Sequence, residues 1–450
     1  MRNKRIHVTT LGCDKNTIDS QLMLGLIEER NYLIQEDPRE AEIIIVNTCC
    51  FIQEAKEQSI DYILEYVEYK KQGNCEVLIV AGCMAERYHQ ELSAEIAEID
   101  AFLGVGHFDD IIALLDRFEA SGEKNQEQSY LGDIDKPQMT GVGRYIPEGT
   151  VSTFVRISEG CDHHCTYCAI PKIRGKYRSR ASQDIFAELR YLESKGIREL
   201  ILIGQDLAPY GTDLEEDYNL PKLLEAIARD FSFRWIRMMY LYPEGITSEL
   251  LAVVKKYAAI CQYFDIPLQH TEDAILKRMG RQMSAARITA LVSLIRATLP
   301  QAVLRTSIIT GFPGETDADH RALLKSIERL SFDHLGVFRY SQEENTPAAE
   351  FEDQISEAVK ERRYDEIMMA QQKISLQNKQ RFVGQTLEVL IEDLDEGEYR
   401  GRFYGDAPDI DGNVFVDSQE QLLAIGSFYP VKIVNALEYD LIGDIENELT

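Results

Sequence analysis

At 450 residues the chain is long for a single hydrophobic core and predicts two or three domains. Its net charge of -28 disfavours a protein whose affinity comes from neutralising nucleic-acid phosphates, and favours a basic partner or simple solubility. The longest apolar runs, such as Val77 to Ala81, fall far short of the roughly 20 residues of a membrane helix. The basic N-terminus leads straight into a short strand pattern with no signal-peptide core, so a cytoplasmic protein without membrane contact is expected.

From residue 4 to about 119, strand and helix patterns alternate: Arg5 to Thr10, a helix from about Thr17 to Arg30, Glu42 to Asn47, a helix from about Gln53 to Lys71, then Val77 to Ala81. Apolar, β-rich runs between amphipathic helices imply an open parallel sheet covered on both faces. The polar, Gly-rich stretch 120–150, with SGEKNQEQ and KPQMTGVG, reads as a linker. A second alternation follows, with strand runs at Thr153 to Ile157, Leu200 to Ile203, Trp235 to Tyr240, Tyr263 to Ile266, Val303 to Ile309 and His334 to Tyr340. Helical stretches between them, such as Ser182 to Ser194 and Ala285 to Thr298, make six βα units, a partial TIM-like barrel short of the full eight. After a polar helix from about Ser356 to Lys379, short strands and Asp/Gly turns predict a small all-β barrel. The expected fold is therefore α/β overall, divided as 1–119, linker 120–150, barrel and following helix 151–380, and C-terminal module 381–450.

Nine cysteines is an odd number, and they are not spread as a disulfide framework would be, so metal or redox chemistry is the better expectation. GCDHHCTYCAIP sets Cys161, Cys165 and Cys168 in a C-x3-C-x2-C spacing directly after the first strand of the barrel region, at the strand end where such folds place active sites. Three thiolates suffice for three irons of a 4Fe-4S cluster and leave the fourth iron free for a small molecule. A zinc site with His163 or His164 as fourth ligand is the competing reading. Gln205, Asp206, Gln269, His270 and the run Thr310 to Thr316 stand at other strand ends and are candidates for cofactor or substrate contact, with ordinary loop capping as the alternative.

In the N-terminal region HVTTLGC, IIIVNTC and LIVAGC each end an apolar strand on a cysteine: Cys13, Cys49 and Cys83. Neighbouring parallel strands would bring these thiols to one sheet edge, as a second cluster site. Cys50 is expected to face away, since adjacent residues of an extended segment point to opposite sides. Cys75 and Cys261 carry no motif.

The central loop, including the aromatic Tyr167 before its last cysteine, resembles the signature of the radical S-adenosylmethionine superfamily. With LGCDKN, NTCCFI, AGCM, EGCDHHCTYCAIPKIRGKYRSR, IPLQH and TGFPGET, essentially the whole chain resembles the methylthiotransferases. That resemblance implies two 4Fe-4S clusters, two molecules of S-adenosylmethionine per turnover, and a C-terminal TRAM domain that recognises substrate; Tyr167 of the signature joins Gln205, Asp206 and Gln269 of the strand ends as a candidate contact to that cofactor or to substrate. Cys50 departs from the glycine usual after the middle cysteine; the ligand role is carried onto Cys49. LGCDKN and YLYPEGIT look like the branch that acts on an aspartate of small-subunit ribosomal protein S-twelve, free or assembled, with an electron donor and a sulfur source as further partners. Residues 381–450 hold sixteen Asp/Glu against four Lys/Arg, which would repel RNA and attract a basic ribosomal protein. Methylthiolation of a tRNA adenosine is the alternative reading, and a non-catalytic iron–sulfur or zinc carrier a more distant one. Lys172, Arg174, Lys176, Arg178 and Arg180 could touch RNA, but a solvated loop or a cofactor carboxylate would explain them equally.

Overall fold

The computed structural model describes residues 4–121, 129–136, 141 and 143–446. In the N-terminal domain β1 (Arg5–Thr10), β2 (Leu33–Ile34), β3 (Ile43–Thr48), β4 (Val77–Gly82) and β5 (Ala101–Leu103) form one parallel sheet in the order β2-β1-β3-β4-β5. Every residue of β3 and β4 is buried, which is why IIIVNT and VLIVAG show no polar alternation. The accompanying helices are α1 (Asp14–Glu29), α2 (Gln53–Gln72), α3 (Cys83–Glu95) and α4 (Ile111–Ser121). α1 starts earlier than the expected Thr17 because the chain turns into the helix at Cys13, whose carbonyl accepts the Thr17 N–H at 3.2 Å.

Residues 122–128, 137–140 and 142, most of SGEKNQEQ and KPQMTGVG, lie outside the described residues. The described part of 120–150 is more than a tether: Tyr130 bridges Leu103 at the sheet edge, and the buried Arg144 reaches Glu188 at 3.2 Å.

The central barrel begins with β6 (Ser152–Arg156), followed by β7 (Ser158–Glu159), α5 (Ile170–Arg174) and β8 (Arg178–Ser179). Its remaining strands are β9 (Glu199–Ile203), β10 (Trp235–Met238), β11 (Tyr263–Gln269), β12 (Val303–Thr310) and β13 (His334–Arg339). They alternate with α6 (Ser182–Ser194), α7 (Leu220–Asp230), α8 (Ser248–Lys256), α9 (Asp273–Arg278), α10 (Ala285–Thr298) and α11 (Asp317–Leu330). The six long strands follow one another in chain order as two parallel three-stranded sheets, β6-β9-β10 and β11-β12-β13. The Leu241 N–H, donating to the Asp265 carbonyl at 2.9 Å, spans the seam between them. β10 stops short of the expected Tyr240, because that residue takes φ +60° and turns its N–H to the Asp265 carboxylate at 3.0 Å.

After α12 (Glu357–Lys379), the C-terminal strands β14 (Thr386–Asp395), β15 (Glu398–Phe403), β16 (Val414–Asp417), β17 (Phe428–Ala436) and β18 (Leu441–Ile445) close into a small barrel in the order β14-β15-β16-β18-β17. This barrel docks on the amino ends of the central strands. Glu199, the first residue of β9 and fully buried, accepts from Arg402 at 2.6 Å and from Arg237 at 2.9 Å. Tyr263, the first residue of β11, donates to Asp411 at 2.7 Å. No helix among the described residues is long and apolar enough to cross a membrane.

Candidate functional site

β1, β3 and β4 lie side by side, and the chain leaves each carboxyl end into a cysteine: Cys13 beyond Gly12, Cys49 directly after β3, and Cys83 at the start of α3. The turns are tight. At Gly12, φ +92°, a Cβ would stand 2.5 Å from Cys49 Cβ, and at Gly82, φ +89°, 2.3 Å from Asn47 Oδ1, so only glycine fits either position. Asn16 joins two of the turns, its Nδ2 donating to the carbonyls of Leu11 at 2.8 Å and Thr48 at 3.0 Å. Cys83 lies within electrostatic reach of Cys50, Cys13 and Cys49. Burial pushes its thiol well above the ordinary range, opposed by the neighbouring Arg174 guanidinium. Burial likewise raises Cys49, and lifts Cys50 to about 12.

The central triad occupies the loop that β7 and β8 bracket as an antiparallel pair. The Cys161 N–H donates to the Gly175 carbonyl at 3.1 Å and the Cys168 N–H to the Cys165 carbonyl at 3.1 Å, which pins the loop at both ends of the motif. Burial pushes Cys161 up to about 11 and Cys168 up to about 12, with Cys165 raising Cys161 further and both Cys165 and Cys161 raising Cys168. Cys165 Sγ is flanked by the Tyr242 hydroxyl at 3.4 Å and Arg281 Nη1 at 3.9 Å, and Arg281 lies 4.0 Å over the Tyr242 ring. A cavity of about 450 Å³ opens beside the loop, bounded among others by His164, Cys165, Cys168, Lys172 and Glu350. That volume suits a small-molecule ligand.

Both triads offer soft thiolate donors on fixed loops, the donor class that holds iron–sulfur clusters. One zinc ion would draw three sulfurs to about 3.8 Å of one another. Among the described residues no group of three or more His, Cys, Asp or Glu is arranged to hold a single ion. A cluster binds each thiolate through a different iron, so wider spacing suits it. His163, a proposed fourth zinc ligand, is otherwise engaged: its Nε2 meets Asp206 at 2.8 Å and its ring stacks on Tyr242 with centroids 3.8 Å apart.

Residues 5–104 match the uncharacterized protein family UPF0004, residues 155–327 the radical SAM superfamily, and residues 383–445 the TRAM domain. The ribosomal protein uS12 methylthiotransferase RimO of Lachnoclostridium phytofermentans is 45% identical over 447 residues, covering 98% of this chain and 100% of that protein. The protein of the same name from Clostridioides difficile is 46% identical over 446 residues, 99% of each chain. The chain belongs to this methylthiotransferase family. In fold, it is also similar to the radical S-adenosylmethionine methyltransferase TsrM of Kitasatospora setae, solved with cobalamin and a 4Fe-4S cluster bound, at a TM-score of 0.56 and 14% identity over 77% of this chain and 74% of that one.

The remaining candidates of this methylthiotransferase fall in different places. Tyr167 packs edge-on to Phe312, with centroids 6.4 Å apart, in a small apolar cluster with Ile275 and Met279. Asp206 is buried and holds the His163 ring and the Ala208 N–H. Gln205 donates to Glu159 at 2.7 Å, while its Oε1 is buried without a partner. Gln269 ends β11 at φ +72°, and the buried His270 accepts the Glu272 N–H at 3.0 Å. Burial lowers the His270 ring to about 4, and its Nε2 is buried without a partner. Thr316 in TGFPGET caps α11 through a reciprocal box with Asp319.

The basic run is not a uniformly solvated loop. Arg174 and Arg180 are buried in ion pairs, with Glu159 at 3.2 Å and Glu188 at 2.6 Å, and only Lys172 and Lys176 are exposed. Sequence reasoning missed Asn16, Asp19, Arg156 and Glu159, all buried between the two triads. The available signal was Arg156 and Glu159 standing inside the apolar strand run TFVRISEG.

Proposed function

We propose that this methylthiotransferase places a methylthio group on the β-carbon of an aspartate in ribosomal protein uS12. One observation carries the reading: two separate sets of three thiols stand at the carboxyl ends of two parallel sheets of one chain, as a reaction needs that combines radical formation with sulfur delivery. When bound, two 4Fe-4S clusters and S-adenosylmethionine supply one-electron cleavage of a carbon–sulfur bond, a radical able to take an unactivated hydrogen, and the sulfur to be installed.

The chain's own residues do the rest. Cys161, Cys165 and Cys168 would hold the cluster that serves S-adenosylmethionine, and Cys13, Cys49 and Cys83 would hold the other. Arg281 and Tyr242 fence Cys165, the guanidinium at 3.9 Å and the hydroxyl at 3.4 Å from its sulfur. The substrate's β-carbon hydrogen is too inert for acid–base removal, so the reaction calls for a radical, and the lone pair of the buried His270 Nδ1 is taken by the Glu272 N–H at 3.0 Å.

The C-terminal barrel sits at the opposite ends of the central strands, roughly 20 Å from the cysteine loop at 3.3 Å per residue. Its acidic hairpin Glu392 to Glu398 is largely exposed, so it suits steering a basic protein while an extended part of that partner reaches the thiols. A low-potential one-electron donor and a sulfide-level sulfur source complete the partners.

Mass spectrometry of uS12 from cells with and without the gene, beside nucleoside analysis of their tRNA, tests the assignment. A mass increment on uS12 that vanishes with the gene is expected. A tRNA methylthio-adenosine that vanishes instead, with uS12 unchanged, moves the enzyme to the tRNA branch.

A further inference from the structure

Between the two triads lies a buried ion network made of residues that are not themselves ligands. Asp19 on α1, Arg156 at the end of β6, Glu159 in β7 and Arg174 at the end of α5 are 0%, 6%, 3% and 1% exposed. Arg156 Nη1 lies 2.7 Å from both Asp19 Oδ1 and Glu159 Oε2. Arg174 Nη1 donates to Glu159 Oε1 at 3.2 Å, while its Nη2 donates to Asn16 Oδ1 at 2.8 Å and Asp19 Oδ2 at 3.1 Å and points to Cys83 Sγ at 3.7 Å. Within this network two carboxylates balance two guanidiniums. Any negative charge at Cys83 therefore faces the Arg174 fork.

Burying four charges is expensive even when they are paired, so the arrangement is a poor device for stability alone. Its placement is informative. Asp19 belongs to the N-terminal domain and the other three to the barrel, and Glu159 stands two residues before Cys161. A guanidinium keeps its charge at every pH a protein survives, and positive charge with N–H donors near a cluster sulfur favours the reduced, more negative cluster.

We propose that Arg174 is a positioning residue that sets the reduction potential of the N-terminal cluster, and that its network locks the two cluster-bearing domains in one register. The inference rests on Cys13, Cys49 and Cys83 holding a cluster.

The test uses the full-length chain with Cys161, Cys165 and Cys168 changed to Ala, reconstituted so that only the N-terminal cluster is loaded. Its midpoint potential is followed by EPR and visible absorbance during stepwise reduction with dithionite. Arg174→Met should move the midpoint to more negative potential, and Arg174→Lys, which keeps the charge and loses the fork, should fall between it and the parent. Asp19→Asn removes a negative charge from the same guanidinium and should move the midpoint the opposite way. A merely structural role would change iron content without ordering the midpoints by charge. Midpoints equal to the parent's, or shifts of one sign in Met and Asn variants, overturn the proposal. Should Arg174→Met hold no iron, an unshifted Asp19→Asn midpoint overturns it alone. A parent chain that loads no cluster overturns instead the assignment of the N-terminal triad.

Discussion

Asn16→Ala removes four hydrogen bonds from a fully buried side chain: two donated to the Leu11 and Thr48 carbonyls, one accepted from Arg174 at 2.8 Å, and a long, weak one from the Cys83 thiol at 4.0 Å that adds little. A buried carbonyl that loses its donor costs about 1–3 kcal/mol, and a bond to a charged group contributes about 1.5–3 kcal/mol. Arg174 keeps Glu159 and Asp19 as partners, so the lower end applies to it, and a total of about 4 kcal/mol is expected. At 1.4 kcal/mol per tenfold, that is a local opening equilibrium raised roughly 10³-fold. A three-domain chain has no single unfolding free energy, so hydrogen exchange is the right assay. Peptides covering 5–16, with the Leu11 N–H bonded to the Asn47 carbonyl at 2.9 Å, should exchange faster by up to that factor, and the reconstituted chain should lose the iron of its N-terminal site. Asn16→Asp keeps the shape and the acceptor for Arg174 but turns oxygen towards two carbonyls, so it should be no better than Ala. Parental protection and full iron in both variants would show that Asn16 does not hold the cysteine turns together.

Reconstituted anaerobically, the chain should carry about eight irons, and replacing Cys161, Cys165 and Cys168 together should halve that number and abolish deoxyadenosine formation; stoichiometric zinc without visible absorption would contradict this. Cys49→Ala should remove the N-terminal cluster while Cys50→Ala spares most of it, because the Cys50 thiol is engaged by Arg87; equal iron loss from both would refute the distinction. His334 on β13 lies 3.2 Å from Asp406 and 3.5 Å from Asp411 of the C-terminal barrel, with Lys379, Arg305 and Tyr263 around the same carboxylates. Burial opposes its charge, but the two aspartates outweigh burial and raise its pKa. Its contribution to docking of the C-terminal barrel is therefore complete below about pH 6.5 and lost as pH rises through the higher folded value. The thermal midpoint of that domain, measured across this range, should fall with pH in the parent and stay flatter in His334→Asn; identical slopes would exclude the histidine as the cause.

Much of the architecture was legible because it depends on local pattern. The runs Ile43 to Val46 and Val77 to Gly82 are apolar throughout, so they had to be strands buried on both faces. Once Cys13, Cys49 and Cys83 each follow such a strand, parallel pairing alone brings them to one edge. Segment ends were less legible where tertiary partners set them: Tyr240 leaves β10 for a carboxylate on the next strand, and Cys13 moves the start of α1.

The sequence by itself determined the family, the two cysteine triads, the three architectures and the acidic C-terminal module, because spacing, periodicity and charge are properties of neighbouring residues. Only the tertiary structure decided that Arg174 and Arg180 are buried ion-pair residues, that His163 belongs to Asp206 and Tyr242, and that Asn16 binds the cysteine turns. The pair Asp19 and Arg156 shows why. These residues are 137 positions apart and meet at 2.7 Å, and periodicity tells which face of an element is covered without telling which charge lies across it.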